Sequence, residues 1–232
     1  MATTQAPRNV KSMFYRTDEP HGLKHNPFKA LVAPRPIAWV STVDVEGRVN
    51  LAPYSYFNAV ADNPPQVMFA PNGYKADGSL KDTLVNAEAM GEFVVNIPHF
   101  EVREAMNATA MALPWGVDEM ALASLTPVAS QLVKPPRVAE AKVSLECRFT
   151  QRLQLQSPEG GANNVVFGQV VGIHISDDLI IDGMVSIERH RPICRLGYQD
   201  YSVVDRVFQM PRPGLSPEAV ASAKGTSPKD PS

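Results

Sequence analysis

Residues 34–58 read PRPIAWVSTVDVEGRVNLAPYSYFN, and this stretch predicts a β-hairpin. Residues 36–44 are rich in β-branched and aromatic side chains, as is typical of a strand. Residues 45–48 contain a turn-forming glycine, and residues 49–56 resume an extended pattern. The first strand ends in two adjacent hydroxyls, Ser41 and Thr42. Pro53 interrupts the second strand and leaves neighbouring backbone groups free to bind something other than the sheet.

Strand patterns continue along the chain and outnumber helical ones. Alternation or short apolar runs predict strands at 66–70, 93–97, 142–156, 165–175 and, as a short final strand, 179–181. The sequence Asn63-Pro64-Pro65 breaks the chain before the first of these, and residues 157–164 form a hairpin turn. Helices are predicted at 79–90, where Ser79 and Asp82 have capping-box spacing, and at 101–111; residues 114–137 are expected to be loop or short helix. We therefore expect a mainly β fold, a closed antiparallel barrel with a few flanking helices.

The composition limits the classes of function. The chain has 232 residues, 44% of them hydrophobic, and a formal net charge of −2. Because no block of lysine or arginine is present, nucleic acid and anionic membranes are not expected partners. No segment is apolar enough for a signal peptide or a membrane span, so a cytoplasmic protein is expected. We predict a flexible arm at 1–18, one domain at 19–208 and a disordered tail at 209–232.

No metal site or standard catalytic motif is predicted. Cys147 and Cys194 lack a CxxC spacing and are expected to be two buried thiols, and the five histidines are scattered without a ligand pattern. Among them, His190 stands between two arginines and is expected on the solvated surface, with a place near a cofactor as the alternative. Fingerprints of dinucleotide, P-loop, zinc-protease and esterase sites are missing.

A third polar segment, Lys81-Asp82-Thr83, stands at the start of a predicted helix. Amides at a helix N-terminus attract anions, and here a lysine and a hydroxyl accompany them. Each polar segment also has a structural interpretation: solvated hydroxyls at a strand end, an edge strand marked by Pro53, and a simple helix cap. From the residues alone, the prediction is an anion site at this helix start, with no redox chemistry implied.

Several ordered segments resemble the flavin reductase-like, FMN-binding split-barrel family, which includes nitrilotriacetate monooxygenase component B. The stretch 34–58 is similar to the opening signature of that family, and residues 79–97 (SLKDTLVNAEAMGEFVVNI) to its phosphate-binding turn, helix and strand. Residues 118–149 and 165–175 resemble the later core, and residues 191–202 (RPICRLGYQDYS) the closing motif. The resemblance runs from about residue 21 to about residue 205 and implies a split β-barrel of Greek-key type.

The resemblance implies a role for each matching residue. Ser41, Thr42, Lys81 and Thr83 would hold the FMN phosphate, and Asp82 would order that turn. Backbone groups of Ala38, Trp39 and Val40 would border the ring and ribityl chain. The edge of the isoalloxazine would be lined by Ala52, Pro53, Tyr54, Ser55, Phe57 and Asn58. Arg195, Gly197 and Tyr201 would lie near the site, from the same subunit or its neighbour, although relatives often have paired glycines where this chain reads RLGYQDY.

The function implied is that of an NAD(P)H-dependent flavin reductase that supplies reduced flavin or electrons to an acceptor or a partner monooxygenase. Transfer of a hydride from nicotinamide to flavin needs no acid–base pair, so no catalytic side chain is predicted. A homodimer is expected. Two alternatives stay open: an FMN enzyme that acts directly on a small organic substrate, and a flavin-binding electron carrier without turnover of its own.

Overall fold

The computed structural model describes residues 11–211, so most of the tail predicted at 209–232 and most of the arm at 1–18 lie outside it. The described chain contains five α-helices and fourteen strands. The helices are α1 (Phe28–Leu31), α2 (Asp82–Met90), α3 (Arg103–Ala108), α4 (Glu119–Leu122) and α5 (Ile187–His190), with 3₁₀ turns at Phe100–Val102 and Asp177–Leu179. The strands are β1 (Arg35–Pro36), β2 (Ala38–Val43), β3 (Val49–Tyr54), β4 (Phe57–Asp62), β5 (Pro65–Phe69), β6 (Glu92–Asn96), β7 (Pro127–Val128), β8 (Arg137–Val138), β9 (Val143–Leu155), β10 (Asn163–Ile175), β11 (Ile180–Ile181), β12 (Met184–Val185), β13 (Ile193–Arg195) and β14 (Tyr201–Val203).

Seven strands form one antiparallel sheet in the order β3-β2-β6-β9-β10-β5-β4. The two outer strands, β3 and β4, follow each other in the chain and are joined through Ser55 and Tyr56. The sheet therefore curls until its edges meet at this link, and the predicted split β-barrel is confirmed. A small sheet of order β1-β13-β14 lies beside it and carries the closing motif.

The barrel interior is filled by the inward-facing side chains of the large sheet. Phe69 and Phe93 meet edge to face at 5.3 Å between ring centroids, and Leu84 and Ala87 of α2 close the interior from one end. A second apolar cluster lies on the opposite face of β2 and β3, where Trp39 and Leu51 pack against Met106 and Met120 of α3 and α4. Two short helices are thus held over β3 on the outside of the barrel, and they form one wall of the site described below.

The structure corrects several predicted boundaries. The helix predicted at 79–90 is α2, and it begins at Asp82 with Lys81 as its N-cap. Ser79 does not cap this helix, because it donates its hydroxyl to Asp77 at 2.6 Å in a preceding turn. The strand at 180–181 is not the last, since β12, β13 and β14 follow. Strand β4 was not predicted; it pairs with β5 across the Asn63-Pro64 turn.

Cys147 and Cys194 are buried free thiols, as expected. No helix within residues 11–211 is long and apolar enough to cross a membrane.

Candidate functional site

Three adjoining clefts run across the outside of β3, from the start of α2 to the closing motif. The helix-end cleft has a volume of about 190 Å³ and the next, the cationic cleft, about 310 Å³. Pro53 and Ala110 line both of them. A third, the large cleft, measures about 760 Å³ and shares Met106, Arg195 and Tyr201 with the cationic cleft. The shared residues make the three clefts one continuous groove.

The helix-end cleft is built around the first turn of α2. Among residues 11–211, the amides of Asp82 and Thr83 find no acceptor in the chain, which is the usual condition of a helix start without a side-chain cap. Lys81, the N-cap residue, forms no salt bridge in the same range. The nine-residue helix adds a partial positive charge at this end. The cleft therefore offers amide donors and one ammonium group to an anion.

A largely buried ion pair fixes the turn that precedes these amides. Lys75 Nζ lies 2.7 Å from Asp82 Oδ1, and both side chains are mostly shielded from solvent. The Lys75 ammonium also lies 5.5 Å from the ring centroid of Trp115. Because Lys75 neutralises Asp82, the charge left over at the helix start is that of Lys81.

A chain of hydrogen bonds connects α2 to β3 and α4. Tyr54 Oη donates to Thr83 Oγ1 at 2.9 Å, and Thr83 Oγ1 donates to Asn50 Oδ1 at 2.7 Å. Asn50 Nδ2 in turn donates to Glu119 Oε1 at 3.0 Å. The hydroxyl proton of Thr83 is therefore used within the protein. What this residue offers to a ligand is its backbone amide.

Glu119 ties α4 to the edge of the barrel. Its second oxygen accepts the backbone amide of Leu51 at 2.9 Å, and the side chain is buried. Burial is the main cause that raises the pKa of Glu119, while its three hydrogen bonds from Leu51, its own backbone amide and Asn50 work in the opposite direction. Burial likewise raises the pKa of Tyr54, so this phenol remains a proton donor to Thr83.

The cationic cleft contains three basic residues and no carboxylate among its lining. Lys29, Arg35 and Arg195 contribute the charges, and the lining also includes Ser55, Tyr198 and Tyr201. Arg35 is 6% exposed and donates to the carbonyls of Lys29, Val32 and Leu196, which ties α1 to the closing motif. Its Nε is buried without an acceptor. A buried guanidinium without a carboxylate partner leaves positive charge in this cleft.

The structure brings about half of the predicted site residues into the groove. Those in the helix-end cleft come from β3 and the start of α2: Ala52, Pro53, Tyr54, Lys81, Asp82 and Thr83. In the cationic cleft, Pro53 recurs and is joined by Ser55, Arg195 and Tyr201.

The remaining predicted residues lie elsewhere. Ser41 faces the side of β2 opposite to α2 and donates its hydroxyl to the Pro136 carbonyl at 2.5 Å. Thr42 faces α2 but is fully buried, where it accepts from Asn86 at 3.2 Å. The two hydroxyls cannot act together, because successive side chains of a strand point to opposite faces.

The other predicted site residues do not line the groove, because they are buried or lie away from it. Ala38, Trp39 and Val40 are fully buried in β2, whose backbone groups pair with β3 on one side and β6 on the other. Phe57 packs in the barrel interior, and Asn58 is exposed on β4 and lines none of the three clefts. Gly197 packs against α1: a Cβ there would lie 2.4 Å from Ala30 Cβ.

Lys75, Glu119 and Arg35 are site residues that the sequence prediction did not select. Lys75 and Glu119 stand seven and thirty-seven residues from Asp82 with no spacing typical of a motif, so only the fold reveals them. Arg35 lies next to the predicted strand, and the apolar residues after it could have indicated that its charge is buried. His190 is also buried, not solvated as expected.

Comparison with known proteins identifies the family of this chain. A model of the flavin reductase like domain matches residues 31–193. The chain belongs to the flavin reductase-like family. An uncharacterized protein of Aquifex aeolicus is 41% identical over 172 residues, which cover 74% of this chain and 85% of that protein. The predicted resemblance is thereby confirmed, and a flavin-related oxidoreductase function follows at the level of the family.

Solved structures agree with this membership. Nitrilotriacetate monooxygenase component B from Bacillus cereus is similar with a TM-score of 0.77 and 35% identity, covering 87% of this chain and all of the other. The Pseudomonas fluorescens 2-nitrobenzoate 2-nitroreductase NbaA has a TM-score of 0.70 and 27% identity, covering 82% of this chain and 90% of NbaA. Flavoredoxin of Desulfovibrio vulgaris, at 19% identity and a TM-score of 0.68, shares the fold.

Proposed function

We propose that this flavin reductase-like protein binds FMN in the groove and is an NAD(P)H-dependent flavin reductase that passes electrons to an acceptor or a partner monooxygenase. The observation that carries the proposal is the helix-end cleft. There, two amides without acceptors and the unpaired Lys81 face a space that leads into a cationic cleft. This arrangement fits a ligand with an anionic group in the helix-end cleft and a longer remaining part that extends into the cationic cleft.

The residues present fit FMN at both ends of the molecule. The amides of Asp82 and Thr83, with Lys81, would hold the phosphate. The ring would lie beyond Pro53 and Ala110, toward Arg35 and Arg195. When bound, FMN supplies a ring that accepts and donates electrons, and a positive charge near that ring favours its reduced, anionic form. Buried Arg35, with its unpartnered Nε, provides such a charge.

Three other residues of the helix-end cleft then have a defined task. Lys75 holds Asp82 at 2.7 Å, so that the carboxylate does not repel a phosphate at the helix start. Glu119 and Asn50 hold Thr83 in place through their hydrogen bonds, which orients the amides of the first helical turn. The proposal gives none of these residues a proton-transfer step, because hydride transfer to a flavin requires no acid–base pair.

A direct reductase of a small organic substrate is the second function we consider, because the large cleft of about 760 Å³ opens next to the cationic cleft. The neighbour NbaA is named as a 2-nitrobenzoate 2-nitroreductase, and component B as part of a monooxygenase. The first function is expected to give NAD(P)H oxidation with free flavin or oxygen as acceptor. The second is expected to give slow oxidation until an organic substrate is added.

The phosphate site is tested by one substitution and two ligands. Lys81→Ala should weaken FMN binding about tenfold, because a charged contact with the phosphate is lost. Riboflavin, which lacks the phosphate, should bind the variant and the parent equally. Lys134→Ala, an exposed lysine away from the groove, is the matched control. Quenching of flavin fluorescence measures each affinity.

The outcomes discriminate between sites. Equal FMN affinity in Lys81→Ala and the parent would place the phosphate elsewhere. An equal loss for FMN and riboflavin would show that Lys81 acts on the ring or on folding. Absence of any flavin binding to the purified parent would remove the proposed function altogether. Oxidation of NADH and of NADPH by the loaded protein, followed by absorbance, then tests the electron donor.

We also propose a homodimer. The hairpin of β11 and β12 presents Ile180, Ile181, Met184 and Val185 to solvent, all four exposed. Ile181 and Met184 are cross-strand partners and share one face of the hairpin, while Ile180 and Val185 share the other. Exposed apolar pairs of this kind are typical of a protein–protein contact.

A further inference from the structure

The large cleft has a charged and aromatic lining, most of which lies outside the two clefts assigned to FMN. Its volume of about 760 Å³ lies in the range typical of small-molecule sites. Arg103 and Glu104 of α3 and Tyr201 of β14 form part of its walls, together with Phe100 and Ile193. Phosphate and ring of FMN are assigned above to the other two clefts.

The charges of the large cleft favour an anion. Arg103 and Arg195 both line it, and Glu104 is the one carboxylate in its lining. Glu104 is 82% exposed and lies 3.4 Å from Arg103 Nε, so solvent weakens its hold on the guanidinium. Arg195 forms no salt bridge within residues 11–211. The neighbouring Arg191, in contrast, is paired with Glu101 at 2.7 Å and does not line the cleft.

Aromatic faces hold the guanidinium groups in place. The centre of the Arg103 guanidinium lies 4.0 Å from the ring centroid of Phe100, and that of Arg195 lies 4.4 Å from the ring of Tyr201. Arg103 Nη1 also donates to the Phe100 carbonyl at 2.9 Å. A stacked guanidinium loses less freedom when it binds a planar anionic group, and its plane can pair with a carboxylate through two hydrogen bonds.

The large cleft adjoins the clefts assigned to FMN. Arg195 and Tyr201 line both the large and the cationic cleft. A ligand seated on Arg103 would therefore extend toward the region in which the flavin ring is placed. This arrangement suits a molecule that exchanges electrons with the ring.

We propose that the large cleft is a second binding site, for a ligand with a planar ring and an anionic group, and that Arg103 recognises the anion. The identity of this ligand as the redox partner of the flavin rests on the proposed function, whereas its binding to the cleft does not. An aromatic carboxylate and a nicotinamide dinucleotide share this chemistry, so both are used as probes.

The test is a calorimetric titration of the protein, with and without FMN, using benzoate, neutral benzamide and NAD⁺. Arg103→Gln should weaken the binding of one anionic probe at least about tenfold, because a charge-assisted hydrogen bond is lost. Arg103→Lys should lose less, and benzamide should be unaffected. Arg148→Gln removes the same charge from an exposed position on β9 and serves as control.

Each result decides the question. A loss confined to benzoate identifies an aromatic acid, and a loss confined to NAD⁺ identifies the dinucleotide. If neither probe binds the parent, or if Arg103→Gln binds both as well as the parent does, the second site is overturned. FMN affinity of Arg103→Gln should equal that of the parent. A protein that fails to bind FMN would refute the proposed function, while the titration without FMN would still decide on the large cleft.

Discussion

At the scale of single residues, Gly197 shows how a close approach determines identity. Leu196, its neighbour, accepts a hydrogen bond from Arg35, and the glycine itself faces Ala30 of α1. A Cβ at position 197 would lie 2.4 Å from Ala30 Cβ and 2.7 Å from Ala30 Cα, closer than van der Waals contact allows. The resemblance to the family placed Gly197 near the flavin, but in the structure its contact is with α1.

Gly197→Ala should therefore lower the free energy of unfolding by about 1–3 kcal/mol, the usual cost of overpacking. Gly172→Ala is the matched control, since its added Cβ would meet the flexible end of Leu132 at 3.3 Å. Urea denaturation followed by fluorescence measures both. Equal stability of Gly197→Ala and the parent would mean that α1 can move away from the closing motif at little cost.

Residue-level prediction selects residues that line the groove where the signal is local, and it misplaces residues where the direction of the side chain matters. Lys81 and Thr83 could be selected because a helix start and a basic residue can be recognised in the sequence. Ser41 and Thr42 were selected together, although strand alternation places them on opposite faces. Asn50 and Glu119 form hydrogen bonds across 69 residues of sequence, and no local pattern predicts such a contact.

At the scale of elements, α5 and the turn before the first 3₁₀ segment bring two histidines together. His99 and His190 are both buried, with 6.3 Å between ring centroids, and each has one ring nitrogen without a partner. Burial is the main cause that lowers the pKa of each, and the charge of His99 further lowers the pKa of His190. Glu101, 3.6 Å from His99, raises the pKa of His99, and Asp178 raises the pKa of both histidines. Lys142 lowers the pKa of both, and Arg191 lowers the pKa of His99.

A lowered pKa in the folded state means that the unfolded chain binds protons first as the pH falls. Stability contributed by neutral His99 and His190 is thus present above the ordinary histidine pKa of about 6.5 and declines as the pH falls below it. The free energy of unfolding should decrease from about pH 8 to about pH 5. His99→Gln combined with His190→Gln should flatten this dependence, whereas exposed His25→Gln should not. An unchanged slope in the double variant would assign the dependence to other groups.

Long strands could be predicted from the sequence more accurately than short ones, because a long strand shows a clear alternation of apolar and polar residues. Strands β9 and β10, thirteen residues each with clear alternation, were predicted within two residues of their observed bounds. Strands β13 and β14 have three residues each, too few to show a period. β13 pairs with β1, which lies more than 150 residues away in sequence, and β14 pairs with β13. The missed strand β4 begins after Ser55-Tyr56, where the sequence continues an extended pattern without a turn signal.

At the scale of the whole molecule, the hairpin β11–β12 is the subunit contact in the proposed homodimer. Ile181→Glu combined with Met184→Glu should shift the protein from dimer to monomer and raise the dissociation constant at least about tenfold, because unpaired carboxylates would be buried. Val45→Glu, at the exposed β2–β3 turn, is the control. Light scattering coupled to gel filtration measures the mass. A double variant that remains dimeric would place the contact on another face.

The free edge of the barrel has a consequence of a different kind. An edge strand with open amides can recruit a strand from another chain and start aggregation. Along β3, Leu51 and Pro53 face away from β2 and would offer donors on this side, but the Leu51 amide is already bound by Glu119 and Pro53 has none. Glu119 and Pro53, which line the helix-end cleft, thus also make residues 51–53 of β3 a poor template for β-augmentation. The barrel can therefore keep a ligand groove open along this part of its edge without exposing a strand that recruits another chain.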